Sequence, residues 1–155
     1  MGIFDKIKKS LVSEEDRINQ SHIKNLFIIA ISGQISDSDF KFIEKRGAEL
    51  KLSKSLIYEV FNSANELKMR SPLTTYGLNS NIAEYVLFAN RNNQISEKEK
   101  ETLKAIVLGL TNVKMEMVNS LISKIIEVVL EDDKADFFTH QKISWAIGNA
   151  YLNIL

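Results

Sequence analysis

Two pairs of carboxylates stand at matched positions in two nearly identical phrases: Asp37 and Asp39 in ISGQISDSDF, which begins at Ile31, and Glu97 and Glu99 in NNQISEKEKE, which begins at Asn92. Acidic side chains behind a polar turn are the raw material of a cation site when further oxygen ligands converge with them. An EF-hand loop would make Gly33 the sixth residue, Ile35 the apolar eighth and Asp39 the closing carboxylate. Its first and third ligands then fall on Ile28 and Ala30, and in the second copy on Phe88 and Asn90, so half of the coordination shell is missing and a full EF-hand is excluded. A phosphate cradle needs several glycines so that consecutive amides can approach the anion. The first phrase has one glycine and the second has none. The spacing does satisfy a capping box, Ser36 with Asp39 and Ser96 with Glu99, with Ile35 and Ile95 ahead of the caps as staples toward Phe40 and the stem of Lys100. Asp39 and Glu99 remain the candidate ligands for a divalent cation, the one cofactor left open. Capping is the preferred reading, because the helix dipole favours acids in a first turn in any case.

Other reactive types are sparse. His22 and His140 lie far apart, neither beside a serine nor in a metal-ligand spacing, so neither a hydrolase nor a zinc constellation is visible and no catalytic residue is assigned. With no cysteine in the chain, disulfides, thiolate metal sites and cysteine nucleophiles are excluded together, which suits a reducing compartment. Two segments are better suited to contact than to chemistry. In MGIFDKIKKSLV, Ile3, Phe4 and Ile7 share one face while Lys6, Lys8 and Lys9 lie mostly elsewhere, a pattern that could rest on an anionic membrane or fold back onto the protein. Near the other end Phe138, Trp145 and Leu152, seven residues apart, form an apolar stripe nearly opposite a main stripe of Ile143, Ala146, Ile147, Ala150, Tyr151 and Ile154. A helix apolar on two faces is either sandwiched in its own fold or offers one face to a protein partner or a second copy.

The elements that must position these residues are helical. Apolar residues recur with a period near 3.6 almost everywhere and no segment sustains the alternation of a strand, so the expected class is all-α. One proline and six glycines in 155 residues leave few breakers, and that length suits one domain with its own core. Twenty basic and twenty acidic residues cancel, so there is no global field to attract nucleic acid. The longest apolar run, Leu26 to Ile31, is far shorter than the roughly 20 residues of a membrane span, and a cytoplasmic location is expected.

The pattern predicts a short amphipathic helix over 1–12 and a helix buried on several sides through Leu26 to Ile31. Helices from Asp37 to about Leu50 and from Ser53 to about Asn65 follow, with Gly47 allowing close approach. An interruption surrounds Pro72, further helices carry Ile82 to Ala89 and Leu103 to Leu110, and one apolar pattern runs from Val113 to Val129. A last helix is expected over 135–155. Gln34 to Leu50 lies on Gln94 to Leu110 without a gap, so the chain reads as a duplication, 20–66 and 78–130, forming a bundle of seven or eight helices rather than a solenoid.

An apolar helix ending in alanine, then ISGQISDSDF, then ELKLSKSLIYEVF resembles the TerB-like family of tellurite-resistance proteins and the related N-terminal domain of the membrane co-chaperone DjlA, over about residues 20 to 130. The family motif is an alanine-aspartate-glycine turn, an apolar residue after one spacer and a glutamate along the next helix. Gly33, Ile35 and Asp39 fall on its glycine, apolar and acidic positions, Ser32 replaces its aspartate, and the second copy offers Asn92, Asn93 and Glu99. The resemblance implies a duplicated all-helical fold and a non-enzymatic interaction or sensing module in a bacterial stress response, near the inner membrane or within the cytoplasm. The alternatives are a peripheral membrane module acting through the N-terminal helix and a divalent-metal-binding protein.

Overall fold

A computed structural model describes residues 2–132 and 137–154, without the side chains of 4–13 and 132. Among the described residues there are seven α-helices and no strand: α1 (Ile3–Ser32), α2 (Asp37–Glu49), α3 (Lys54–Asn62), α4 (Thr75–Ala89), α5 (Glu97–Thr111), α6 (Val118–Asp132) and α7 (Phe137–Tyr151), with a single 3-10 turn at Met115–Met117 before α6. The all-α expectation holds.

Local chemistry sets most of the boundaries. Ser36 and Ser96 each accept a hydrogen bond from the amide three residues on, while Asp39 and Glu99 reach back to the cap amides, so both capping boxes form. Ser53 and Thr74 cap α3 and α4 in the same way through their hydroxyls. Asn112 ends α5 in the left-handed conformation that asparagine tolerates.

Helix α1 runs through the centre. Ile23, Leu26, Phe27, Ile29 and Ala30 are fully buried, and α1 packs against α2, α3, α4 and α5. Its counterpart α4 buries Ile82, Ala83, Tyr85, Val86, Phe88 and Ala89 and packs against α1, α5, α6 and α7. The two helices that precede the two phrases therefore lie against each other, and α7 is an addition packed on α4 and α6. Gly47 admits Ile57 of α3: a methyl group there would lie 2.6 Å from the Ile57 Cδ1 atom, so the expected close approach is real.

Several expected boundaries move. Residues 1–12 do not form a separate short helix, because from Ile3 they are the first turns of one 30-residue helix. Helix α3 stops at Asn62, α4 begins before residue 78 at its Thr74 cap, and the pattern from Val113 onward is interrupted before Val118 by Lys114 and the 3-10 turn. In the last case the apolar periodicity continues across a backbone break, since a buried loop residue such as Val113 is as apolar as a helical one. Among the described residues the last helix is Phe137–Tyr151, residues 135, 136 and 155 of the expected span lying outside them, and Tyr151 and Ile154 are exposed rather than on its inward stripe.

Candidate functional site

The structure brings Asp39 and Glu99 together, on Arg91. The turn before α2 is Gly33 to Ile35, whereas the turn before α5 runs from Asn90 to Ile95, and the longer one carries Arg91. The Arg91 guanidinium donates through Nε to Asp39 Oδ1 at 2.7 Å, through Nη2 to Asp39 Oδ2 at 3.2 Å and through Nη1 to Glu99 Oε2 at 2.7 Å. Nη1 also reaches the Phe88 carbonyl at 3.1 Å, and the guanidinium carbon stands 4.6 Å from the centre of the Phe88 ring. All three charged side chains are largely buried.

This arrangement gives the two carboxylates a fixed organic cation. The remaining Glu99 oxygen, Oε1, accepts from the Ser96 amide, and Asp39 Oδ2 also accepts from the Ser36 amide. Burial pushes the Asp39 carboxyl up, but the Arg91 and Ser36 hydrogen bonds and the Arg91 charge outweigh it and leave the pKa below its ordinary value. Gly33 completes the joint, because a Cβ there would lie 2.7 Å from the Glu99 carboxyl carbon. Thus Glu99 of the second half packs on the turn of the first, and Asp39 of the first is held by the turn of the second. Among the described residues no group of three or more His, Cys, Asp or Glu side chains is placed to share a metal.

A second polar network crosses the α1–α4 contact. His22 Nε2 and Glu84 Oε2 are 2.8 Å apart, His22 Nδ1 and the Tyr85 hydroxyl 2.7 Å, and Asn25 Nδ2 donates to the same hydroxyl at 3.1 Å. Arg46 donates to both Glu84 oxygens, at 2.7 and 3.2 Å. Burial pushes the Glu84 carboxyl up, yet the hydrogen bonds from His22 and Arg46 prevail and hold its pKa down at about 2. Burial also raises the Tyr85 phenol, so it keeps its proton. An ionised Glu84 can only accept, so His22 donates to it through Nε2, while Nδ1 and the Tyr85 hydroxyl share the second bond. Carboxylate, imidazole and hydroxyl in series have the order of a catalytic relay, but His22 and Tyr85 are buried between α1 and α4, where they fix the packing of the halves. Beside both networks a cleft of about 470 Å³ opens between α2 and α4, walled by Phe42 and Phe88, whose rings stack at 5.3 Å.

The C-terminal stripe resolves in one direction. Phe138 is 64%, Trp145 66% and Leu152 69% exposed, while Ile143, Ala146, Ile147 and Ala150 are buried against α4 and α6. Trp145 and Leu152 border a groove of about 900 Å³ between α7 and the start of α4, whose other walls include Tyr76, Phe137, His140 and Gly148. Asn79 lines the same groove. Its Nδ2 donates to the His140 carbonyl and to Ser144 Oγ, which fixes the amide and leaves Oδ1 buried without a donor. His140 Nδ1 is likewise buried and unpartnered, with its ring against Tyr76 at 4.6 Å.

Of the N-terminal candidates, Ile3 is exposed, whereas the side chains of Phe4, Lys6, Ile7, Lys8 and Lys9 lie outside the described residues. No described helix is long and apolar enough to cross a membrane. Sequence reasoning missed Arg91, Glu84, Arg46 and the groove floor. The available signal was a lone arginine next to Phe88 in the longer of two otherwise matched turns. No protein-family model, curated protein or solved structure matches this chain.

Proposed function

We propose that this chain is a non-catalytic protein-interaction module that receives a charge-poor amphipathic helix along α7, in a bacterial stress response of the kind the TerB-like resemblance implies. One observation carries the reading: the outward face of α7 is apolar, aromatic and nearly free of charge. Phe138, Gln141, Trp145, Gly148 and Leu152 follow the three-and-four spacing of a helix–helix seam, and Lys142 is the only Lys, Arg, Asp or Glu between Phe137 and Tyr151. Depletion of charge with enrichment of Trp and Phe distinguishes the centre of an interface from ordinary surface. The other candidate cavity supports a structural role better, because its carboxylates are already engaged by Arg46 and Arg91.

The test is site-specific photo-crosslinking in the native host. A photoreactive residue at position 152 should give a discrete protein adduct that disappears with Trp145→Ala, while the same residue at exposed Tyr58, remote in sequence on α3, gives none. Equal labelling from both positions, or none from position 152, would overturn the reading.

A further inference from the structure

We infer that the helix received by α7 is α7 of a second copy of this chain, packed antiparallel so that each Trp145 indole enters the groove beside Gly148 of the other. The inference rests on the interaction reading above and names its partner. The face carries both halves of a self-complementary contact, a protruding indole and, one turn further along the same seam, a residue with no side chain. A Cβ built at Gly148 meets nothing within 4 Å, so the groove is open at that point. In an antiparallel pair a large side chain on one helix packs opposite the small seam position of the other. With the two-fold axis between Ala146 and Ile147, Trp145 faces Gly148 of the second copy and Gln141 faces Leu152, and each contact occurs twice, as an isologous interface requires.

Charge and polarity agree with that register. Lys142 comes opposite Tyr151 rather than another cation, so no like charges meet across the seam. The seam positions Phe138, Gln141, Trp145, Gly148 and Leu152 carry no formal charge, and Gln141 is their one polar side chain. The area is of the right order. Aromatic side chains bury about 150–250 Å² each, so Tyr76, Phe137, Phe138 and Trp145, each about two-thirds exposed, offer roughly 400–650 Å² per copy. Leu152 adds to this, against about 800 Å² per partner in a standard interface. A reversible dimer follows.

The experiment combines sedimentation velocity with Trp145 emission, from low to several hundred micromolar protein, since Trp145 is the only tryptophan. The wild type should pass from monomer to dimer while its emission moves to the blue. Trp145→Ala removes the knob and Gly148→Leu fills the hole, so each should stay monomeric. Gly148→Leu should also melt no lower than the wild type, because leucine is the better helix former and the site is open. Mixed together, the two variants should form a heterodimer, as one intact indole meets one intact groove. A wild type that stays monomeric throughout overturns the inference, as does a dimer indifferent to both substitutions. If the wild type is monomeric while position 152 still cross-links another protein, the second-copy assignment falls and the interaction reading stands. If position 152 captures nothing as well, both fall.

Discussion

Replacing Arg91 by methionine keeps most of the stem and removes the charge that Asp39 and Glu99 share. Both carboxylates lie within 2.7 Å of the guanidinium and both are at least nine-tenths covered, so neither can recover its lost partner from bulk water without opening the joint. Stranding a buried charge in this way costs about 3–5 kcal/mol. For a domain of this size that corresponds to a fall in melting temperature of roughly 6–20 °C. The decisive comparison is the triple variant Arg91→Met, Asp39→Asn, Glu99→Gln. It retains side-chain oxygens that can accept from the Ser36 and Ser96 amides and leaves no unpaired charge, so it should recover more than half of the loss. Chemical denaturation followed by circular dichroism measures both, with unchanged denaturant slopes as the check on a common unfolded state. A single substitution costing less than about 0.5 kcal/mol, the range of an ordinary surface change, would show that the guanidinium does not couple the halves. A triple variant as unstable as the single one would show that the loss came from packing rather than orphaned charge.

Millimolar calcium or magnesium should leave the melting temperature of the wild type unchanged, because Arg91 already occupies the space between Asp39 and Glu99; a rise of several degrees abolished by Asp39→Asn or Glu99→Gln would restore the metal reading. Glu84 is depressed from 4.5 to about 2, so it contributes stability above its unfolded value that is lost as pH falls through about 4.5 toward 2. Unfolding followed across that window should show roughly 2–4 kcal/mol of loss from this group, and Glu84→Gln should flatten that part of the profile. Deleting residues 1–12 should leave the bundle folded, since the first buried residue described in α1 is Ser21. If the intact chain co-sediments with anionic vesicles at low salt and the truncated chain does not, the N-terminal turns meet membranes; if neither sediments, that alternative is retired.

What the sequence determined by itself was whatever a few neighbouring residues decide. Ser36 with Asp39, Ser96 with Glu99, and the hydroxyls of Ser53 and Thr74 fix helix starts through bonds spanning three residues, which no distant contact has to complete. The apolar period fixed the class for the same reason, and the matched phrases marked Ser36 and Ser96 as two like helix starts. What needed the tertiary structure was every decision made between segments remote in the chain. Asp39 and Arg91 are separated by 52 residues and Glu84 and His22 by 62, and neither pair has a local signature; each forms because α1 and α4 pack together and bring their turns and polar edges into register. The last helix shows the same division. Its main and second apolar stripes are both legible in the sequence, but only the placement of α4 and α6 decides that Ile143, Ala146, Ile147 and Ala150 are covered while Phe138, Trp145 and Leu152 stay outside. A helix can bury both stripes only when neighbours cover both sides, and this fold supplies them on one.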